Sequence, residues 1–104
     1  MSVIMTLRVP GDPQAFERLA KDDPDRLQRI VGSAKSHGLI AHRFYATEGQ
    51  IMAIDEWPDP ESFQAFFSEM EPDIGPMMQE VATGEPEIVF WTKLDTGDDV
   101  GWDA

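Results

Sequence analysis

Along this chain short β-rich apolar runs take turns with longer stretches in which apolar residues recur at helical spacing. Residues 2–9 (SVIMTLRV) are rich in β-formers and stop at Pro10-Gly11, so the chain opens on a strand closed by a turn. Beyond it Phe16, Leu19, Ala20, Leu27, Ile30, Val31 and Ala34 recur at helical spacing to about residue 36. Asp12 is placed to cap this helix, with Pro13 at its first position. Pro24 inside the run predicts a kink or two helical pieces around residues 22–24. His37-Gly38 ends the run in the manner of a C-cap, with Gly38 free to adopt positive φ.

Residues 39–47 (LIAHRFYAT) and 51–57 (IMAIDEW) read as two strands joined across Glu48-Gly49, a β-hairpin. A second helix carrying Ser62, Phe63, Phe66, Phe67 and Met70 is predicted from near Pro60. Pro72 and Gly75-Pro76 are expected to break it, leaving a short helical piece with Met77, Met78 and Val81 that Gly84 closes. Residues 86–94 (PEIVFWTKL) form the last strand. The order β-α-β-β-α-β is the split βαβ pattern of an α+β, ferredoxin-like fold: a four-stranded antiparallel sheet with helices on one face. Residues 1–94 make one domain, and 95–104 are an acidic tail whose one aromatic, Trp102, either packs on a partner or ends free.

Two helices cover one face of such a sheet, and a face left in water calls for strict apolar–polar alternation. These strands do not alternate. Val3, Met5 and Leu7 oppose Ile4 in the first strand, and Ile88 and Phe90 oppose Val89 and Trp91 in the last. The second face therefore needs a cover, and the simplest is the same face of a second copy, which predicts a homodimer.

Composition narrows the function classes. Twenty acidic against eight basic side chains give a formal net charge of −12, which repels phosphate backbones and anionic lipid and argues against nucleic-acid and membrane partners. The N-terminal residues carry no basic lead and meet Arg8 and Pro10 too soon for a signal peptide or a span. With no cysteine there is no disulfide, thiolate metal site or cysteine nucleophile, which fits a cytoplasmic protein. Two histidines, His37 and His42, match no zinc spacing, and no Ser-His-Asp order, P-loop or dinucleotide fingerprint is present. No metal and no cofactor is expected.

The stretch EWPDPESFQAF, residues 56–66, resembles the acidic-Trp, short break, helix pattern of the dimeric α+β barrel proteins of the antibiotic-biosynthesis-monooxygenase type. The element order is similar to that family over nearly the whole chain. The resemblance implies a small-molecule pocket between sheet and helices, lined here by Trp57, Phe63, Phe66, Phe67 and the Met77-Met78 segment. Many members carry a helix histidine nine residues after the tryptophan, which haem-degrading members use as the iron ligand. Phe66 holds that position here, which argues against haem.

The hairpin holds the candidate chemistry, and its register decides which residues meet. A two-residue Glu48-Gly49 turn sets His42 opposite Asp55, an oriented base at a pocket wall. A turn over Thr47-Glu48-Gly49 with a bulge puts His42 with Ile54 and Glu56, while Arg43, Tyr45, Asp55 and Trp57 share the other face. Asp55 and Trp57 share a face in either case. The resemblance, with these ionisable groups beside Trp57, implies a cofactor-independent, monooxygenase-like or isomerase-like protein acting on an apolar aromatic molecule. Tyr45 and the pocket aromatics would hold that molecule, and His42 or Asp55 would take a proton. The alternative is a homodimer that binds a ligand or serves structure without catalysis.

Overall fold

β1 (Val3–Pro10) runs into a tight turn and α1 (Pro13–Asp22) begins at once. Asp12 caps α1 by accepting the backbone N–H of Gln14 at 2.9 Å, and Pro13 sits at the first position, where its missing N–H loses no bond. Pro24 divides the helical run as its chemistry requires: α1 ends at Asp22, Asp23 caps a new helix, and α2 (Pro24–Ser36) starts on the proline itself. Gly38, at φ 104°, turns the chain out of α2. The hairpin of β2 (Ala41–Thr47) and β3 (Gln50–Trp57), then α3 (Pro60–Val81) and β4 (Glu87–Trp91), complete the order. The structure is a computed structural model describing residues 1–102, so the last two residues of the expected tail lie outside the described residues.

The strands form one antiparallel sheet in the order β2-β3-β1-β4. The hairpin turn has two residues, with Thr47 opposite Gln50 and His42 opposite Asp55. Glu48-Gly49 suffices because the turn uses one left-handed residue, and Gly49 supplies it at φ 73°. Directly opposed residues share a face. The rows His42–Asp55–Met5–Phe90, Phe44–Ala53–Leu7–Ile88 and Ala46–Ile51–Val9 look toward the helices. The rows Ala41–Glu56–Ile4–Trp91, Arg43–Ile54–Thr6–Val89 and Tyr45–Met52–Arg8–Glu87 look away from them.

That outer face is the one the broken alternation implied. Ile4, Tyr45 and Trp91 are exposed on it and Met52, Ile54 and Val89 half-buried. The indole of Trp91 lies across it, donating to the Thr6 hydroxyl at 2.9 Å.

α3 corrects the expected break: it is one helix of 22 residues with Pro72 and Pro76 inside it. Each proline withdraws one backbone donor, which frees the carbonyls of Ser68 and Pro72. Ser68, Pro72 and Pro76 are all exposed and spaced by four, so they form one stripe on the solvent side, where the freed carbonyls need not be left in an apolar core. Phe63, Phe66, Ile74, Met77 and Val81 face the core from the opposite side. Position on the helix, rather than the mere presence of proline, decides continuity here. No helix among the described residues is long and apolar enough to cross a membrane.

Candidate functional site

Between the helix-side rows of the sheet and the three helices lies a cleft of about 110 Å³. Met5, Leu7 and Val9 of β1 with Ile51 and Ala53 of β3 make its floor. α2 contributes Ile30 and Ala34, and α3 contributes Phe63, Phe66, Phe67, Met77 and Met78. Every one of these α3 residues was expected at the site, the two methionines now on a continuous helix. The floor and the helix walls come from period-two and period-3.6 residues that also form the hydrophobic core, so core and cleft share their lining.

Among the described residues only two polar side chains line this cleft, His42 and Asp55, and they touch: Nδ1 of His42 lies 2.6 Å from Oδ1 of Asp55. The second carboxylate oxygen, Oδ2, accepts the indole N–H of Trp57 at 3.1 Å. Asp55 is 6% exposed yet fully engaged, and no buried side-chain polar atom among the described residues lacks a partner. An ionised carboxylate can only accept, so a neutral His42 imidazole in this contact donates from Nδ1 and keeps its lone pair on Nε2. Nε2 makes no hydrogen bond among the described residues. The arrangement is a hydrogen-bonded His–Asp pair on an otherwise apolar wall.

Two expected site residues lie elsewhere. Trp57 is completely buried and does not line the cleft. The chain turns into α3 within three residues of it and lays Phe63 and Phe66 on the indole, with ring centroids 5.7 and 5.5 Å away. It acts from behind, through its hydrogen bond to Asp55. Tyr45 is on the outer face, 48% exposed, opposite Met52, where its hydroxyl accepts from Arg43 at 3.2 Å. A one-residue change in turn length reverses which way every β2 side chain points, and the two-residue turn sends Tyr45 outward.

Phe16 and Phe44 line the cleft without having been singled out for the site. Their signals were present: Phe16 belongs to the helical run, and Phe44 shares a strand face with His42 at period two. Phe44 stands edge-on between two rings, with centroids 4.7 Å from Phe16 and 4.8 Å from His42. Among the described residues no three His, Cys, Asp or Glu side chains gather as a metal centre would require.

No protein-family model and no curated protein matches the chain. Solved structures do match its fold. ActVA-Orf6 of Streptomyces coelicolor, a monooxygenase in complex with nanaomycin D, aligns with a TM-score of 0.67 at 14% identity, covering 91% of this chain and 89% of its own. SnoaB from Streptomyces nogalater, a cofactor-independent oxygenase, aligns at 0.65 and 17% identity, covering 94% and 98%. A dimeric ferredoxin-like protein from an uncultured marine organism aligns at 0.65 and 12%, covering 90% and 89%. The likeness is one of fold: over most of its length this chain has the ferredoxin-like architecture of the antibiotic-biosynthesis-monooxygenase-like proteins.

Proposed function

We propose that this cleft binds an apolar aromatic molecule bearing one acidic hydrogen, and that His42, held by Asp55, removes that proton to start a cofactor-independent monooxygenation. The observation that carries the reading is the pair itself. Two polar side chains touch each other in a cleft that is otherwise apolar, and one imidazole nitrogen makes no hydrogen bond among the described residues. A general base within reach of an acidic proton is worth about 10²–10⁴-fold in rate.

For a phenol the balance is simple. The O–H proton passes to Nε2 of His42, and the electron-rich phenolate reduces dioxygen and is attacked by it at a ring carbon. The ring C–H bond and the O–O bond then break as a second C=O forms and water leaves. Phenol and O2 become quinone and water, the ring losing the four electrons that dioxygen gains. The proton held by His42 returns in the water, so the base is regenerated. Apolar walls suit both dioxygen and a flat aromatic.

We propose further that the chain works as a homodimer closed through the outer face of the sheet. Ile4 and Trp91, exposed, with the half-buried Met52, Ile54 and Val89, form an apolar surface there that one chain covers only in part. A cytoplasmic setting fits the cysteine-free composition, and the net charge of −12 disfavours nucleic acid and anionic lipid as partners.

The test is oxygen uptake with anthrone and 1-naphthol by the wild-type protein and His42→Ala. The reading expects uptake by the wild type and a loss of at least about 10²-fold in the variant. Equal rates in the two would sink it. Tight binding of these compounds with no uptake by either protein favours the second reading, a non-catalytic ligand-binding homodimer, which the almost wholly apolar lining also supports.

A further inference from the structure

Burial on the cleft side of the sheet falls abruptly across one strand. Ile51 and Ala53 of β3 are 5% and 7% exposed, whereas Phe44, directly opposite Ala53 on β2, is 42% exposed although it faces the same way. Ala46, opposite Ile51, is exposed too. Paired strands are only about 4.8 Å apart, so the helical cover thins within one strand spacing: His42 stays half-buried and Phe16 of α1 reaches Phe44, but Phe44 and Ala46 are open to water. Met5 and Val9, on the far side of β3, are buried. On the cleft side of the sheet the most exposed residues of these rows are thus Phe44 and Ala46 of β2, the edge strand.

One large side chain stands at that edge. The Phe44 ring bridges from Phe16 on α1 to His42 on its own strand, edge-on to both. Its cross-strand neighbour is Ala53, which leaves space on the inner side. On the outer side β2 has no neighbouring strand to confine the ring. A ring so placed can turn outward at the cost of two edge contacts and return over a ligand without moving backbone.

We infer that Phe44 is the gate of the cleft: its ring closes the way between solvent and His42, and its size sets which ligands pass. The inference rests on the reading of the cleft as a ligand site and adds the route and the residue that selects. A gating ring sets the rates in both directions, whereas a mere wall residue sets residence alone. The same ring packs on His42, so it also settles the imidazole once the ligand is in.

The experiment is stopped-flow binding of the neutral apolar fluorophore N-phenyl-1-naphthylamine to wild type, Phe44→Ala and Phe44→Trp. Phe44→Leu is run beside them as a variant that keeps an apolar side chain, and circular dichroism confirms that each is folded. A gate predicts that Phe44→Ala and Phe44→Leu raise association and dissociation rates together, by about tenfold for alanine with Kd moving far less, since a required rearrangement slows both. Phe44→Trp should slow both. Association rates unchanged in all three variants, with only dissociation altered, overturn the gate and leave the cleft as a binding site. Folded wild type and variants that all fail to bind the fluorophore overturn the ligand-site reading and the gate with it.

Discussion

The indole nitrogen of Trp57 lies 3.1 Å from Oδ2 of Asp55, two residues before it on the same face of β3. This contact explains why an apolar strand carries an acid just ahead of its tryptophan. A carboxylate taken from water at 6% exposure is costly unless its oxygens are satisfied. The tryptophan satisfies one and His42 the other. Glu56, the next residue, points to the outer face and accepts from Ser2 instead. Trp57→Phe keeps most of the ring contacts with Phe63 and Phe66 but removes the donor. A lost hydrogen bond to a buried charged group should lower stability by about 1.5–3 kcal/mol. Urea unfolding reads this directly, and a loss too small to measure would show that Asp55 is held without the indole.

Asp55→Asn keeps the shape and reverses the hydrogen on His42. The Trp57 N–H still needs an acceptor, so the amide oxygen should take it and the amide NH2 should face Nδ1 of His42. Nδ1 then becomes the acceptor and Nε2 carries the hydrogen, so the Nε2 lone pair that the proposed base needs is lost. Nitrogen-15 spectra of the histidine should show the Nδ1–H tautomer in the wild type and the Nε2–H tautomer in the variant. Identical spectra would remove Asp55 as the residue that orients the ring, whatever the substrate proves to be.

The sequence revealed elements more readily than it revealed faces. Asp12, Pro13, Pro24 and Gly38 each act through a backbone rule that depends on neighbours in the chain, and each does in the structure what that rule requires. Tyr45 depends on the length of a turn, and the choice between two and three residues reverses its face. The Pro72–Pro76 stripe needed knowledge of which side of α3 meets water, which only tertiary packing fixes. Trp57 was rightly placed on the face of Asp55 but stands behind the cleft wall, because the return of α3 buries it. Phe44 was visible as a neighbour of His42, while its exposure depends on where the helices end over the sheet.

Asp59, the N-cap of α3, has its carboxyl held below the ordinary 3.8, first by a hydrogen bond from the Ser62 side chain and then by the Ser62 backbone N–H. A depressed carboxyl contributes stability above its unfolded value and loses it as pH falls through the folded one. Its share should therefore be intact near neutrality and disappear on acidification from about 3.8 downward. Asparagine also caps helices but does not titrate in this range. Melting temperatures of Asp59→Asn should fall less steeply than those of the wild type as pH is lowered through that window. Parallel curves would show that the cap does not depend on charge.

The outer face should behave as an interface. Ile54 lies in its middle row, beside Thr6 and Arg43, and is already partly exposed in the single chain. Ile54→Lys therefore disturbs little inside one subunit but sets a charge against its own copy in a two-fold contact. Sedimentation at micromolar concentration should give a dimer for the wild type and a folded monomer for the variant. A wild type that sediments as a well-folded monomer would remove the homodimer.

α3 should become more stable when its prolines are relieved. Pro76→Ala restores a donor for the carbonyl of Pro72, on a side of the helix exposed to water where the methyl group meets no core residue. Proline within a helix costs about 3 kcal/mol relative to alanine. Part of that is offset where the stripe meets solvent, which can hydrate the carbonyl, and because the ring stiffens the unfolded chain by about 0.4–1 kcal/mol. A net gain of roughly 1–2 kcal/mol in urea unfolding is expected, with a larger gain when Pro72 is replaced as well. If both replacements leave stability unchanged or lower it, then α3 is bent at its prolines to fit the cleft, and straightening it strains the wall formed by Ile74, Met77 and Met78. Hydrogen exchange along residues 70–81 separates the two outcomes: slower exchange in the variant accompanies relief, and faster exchange accompanies strain.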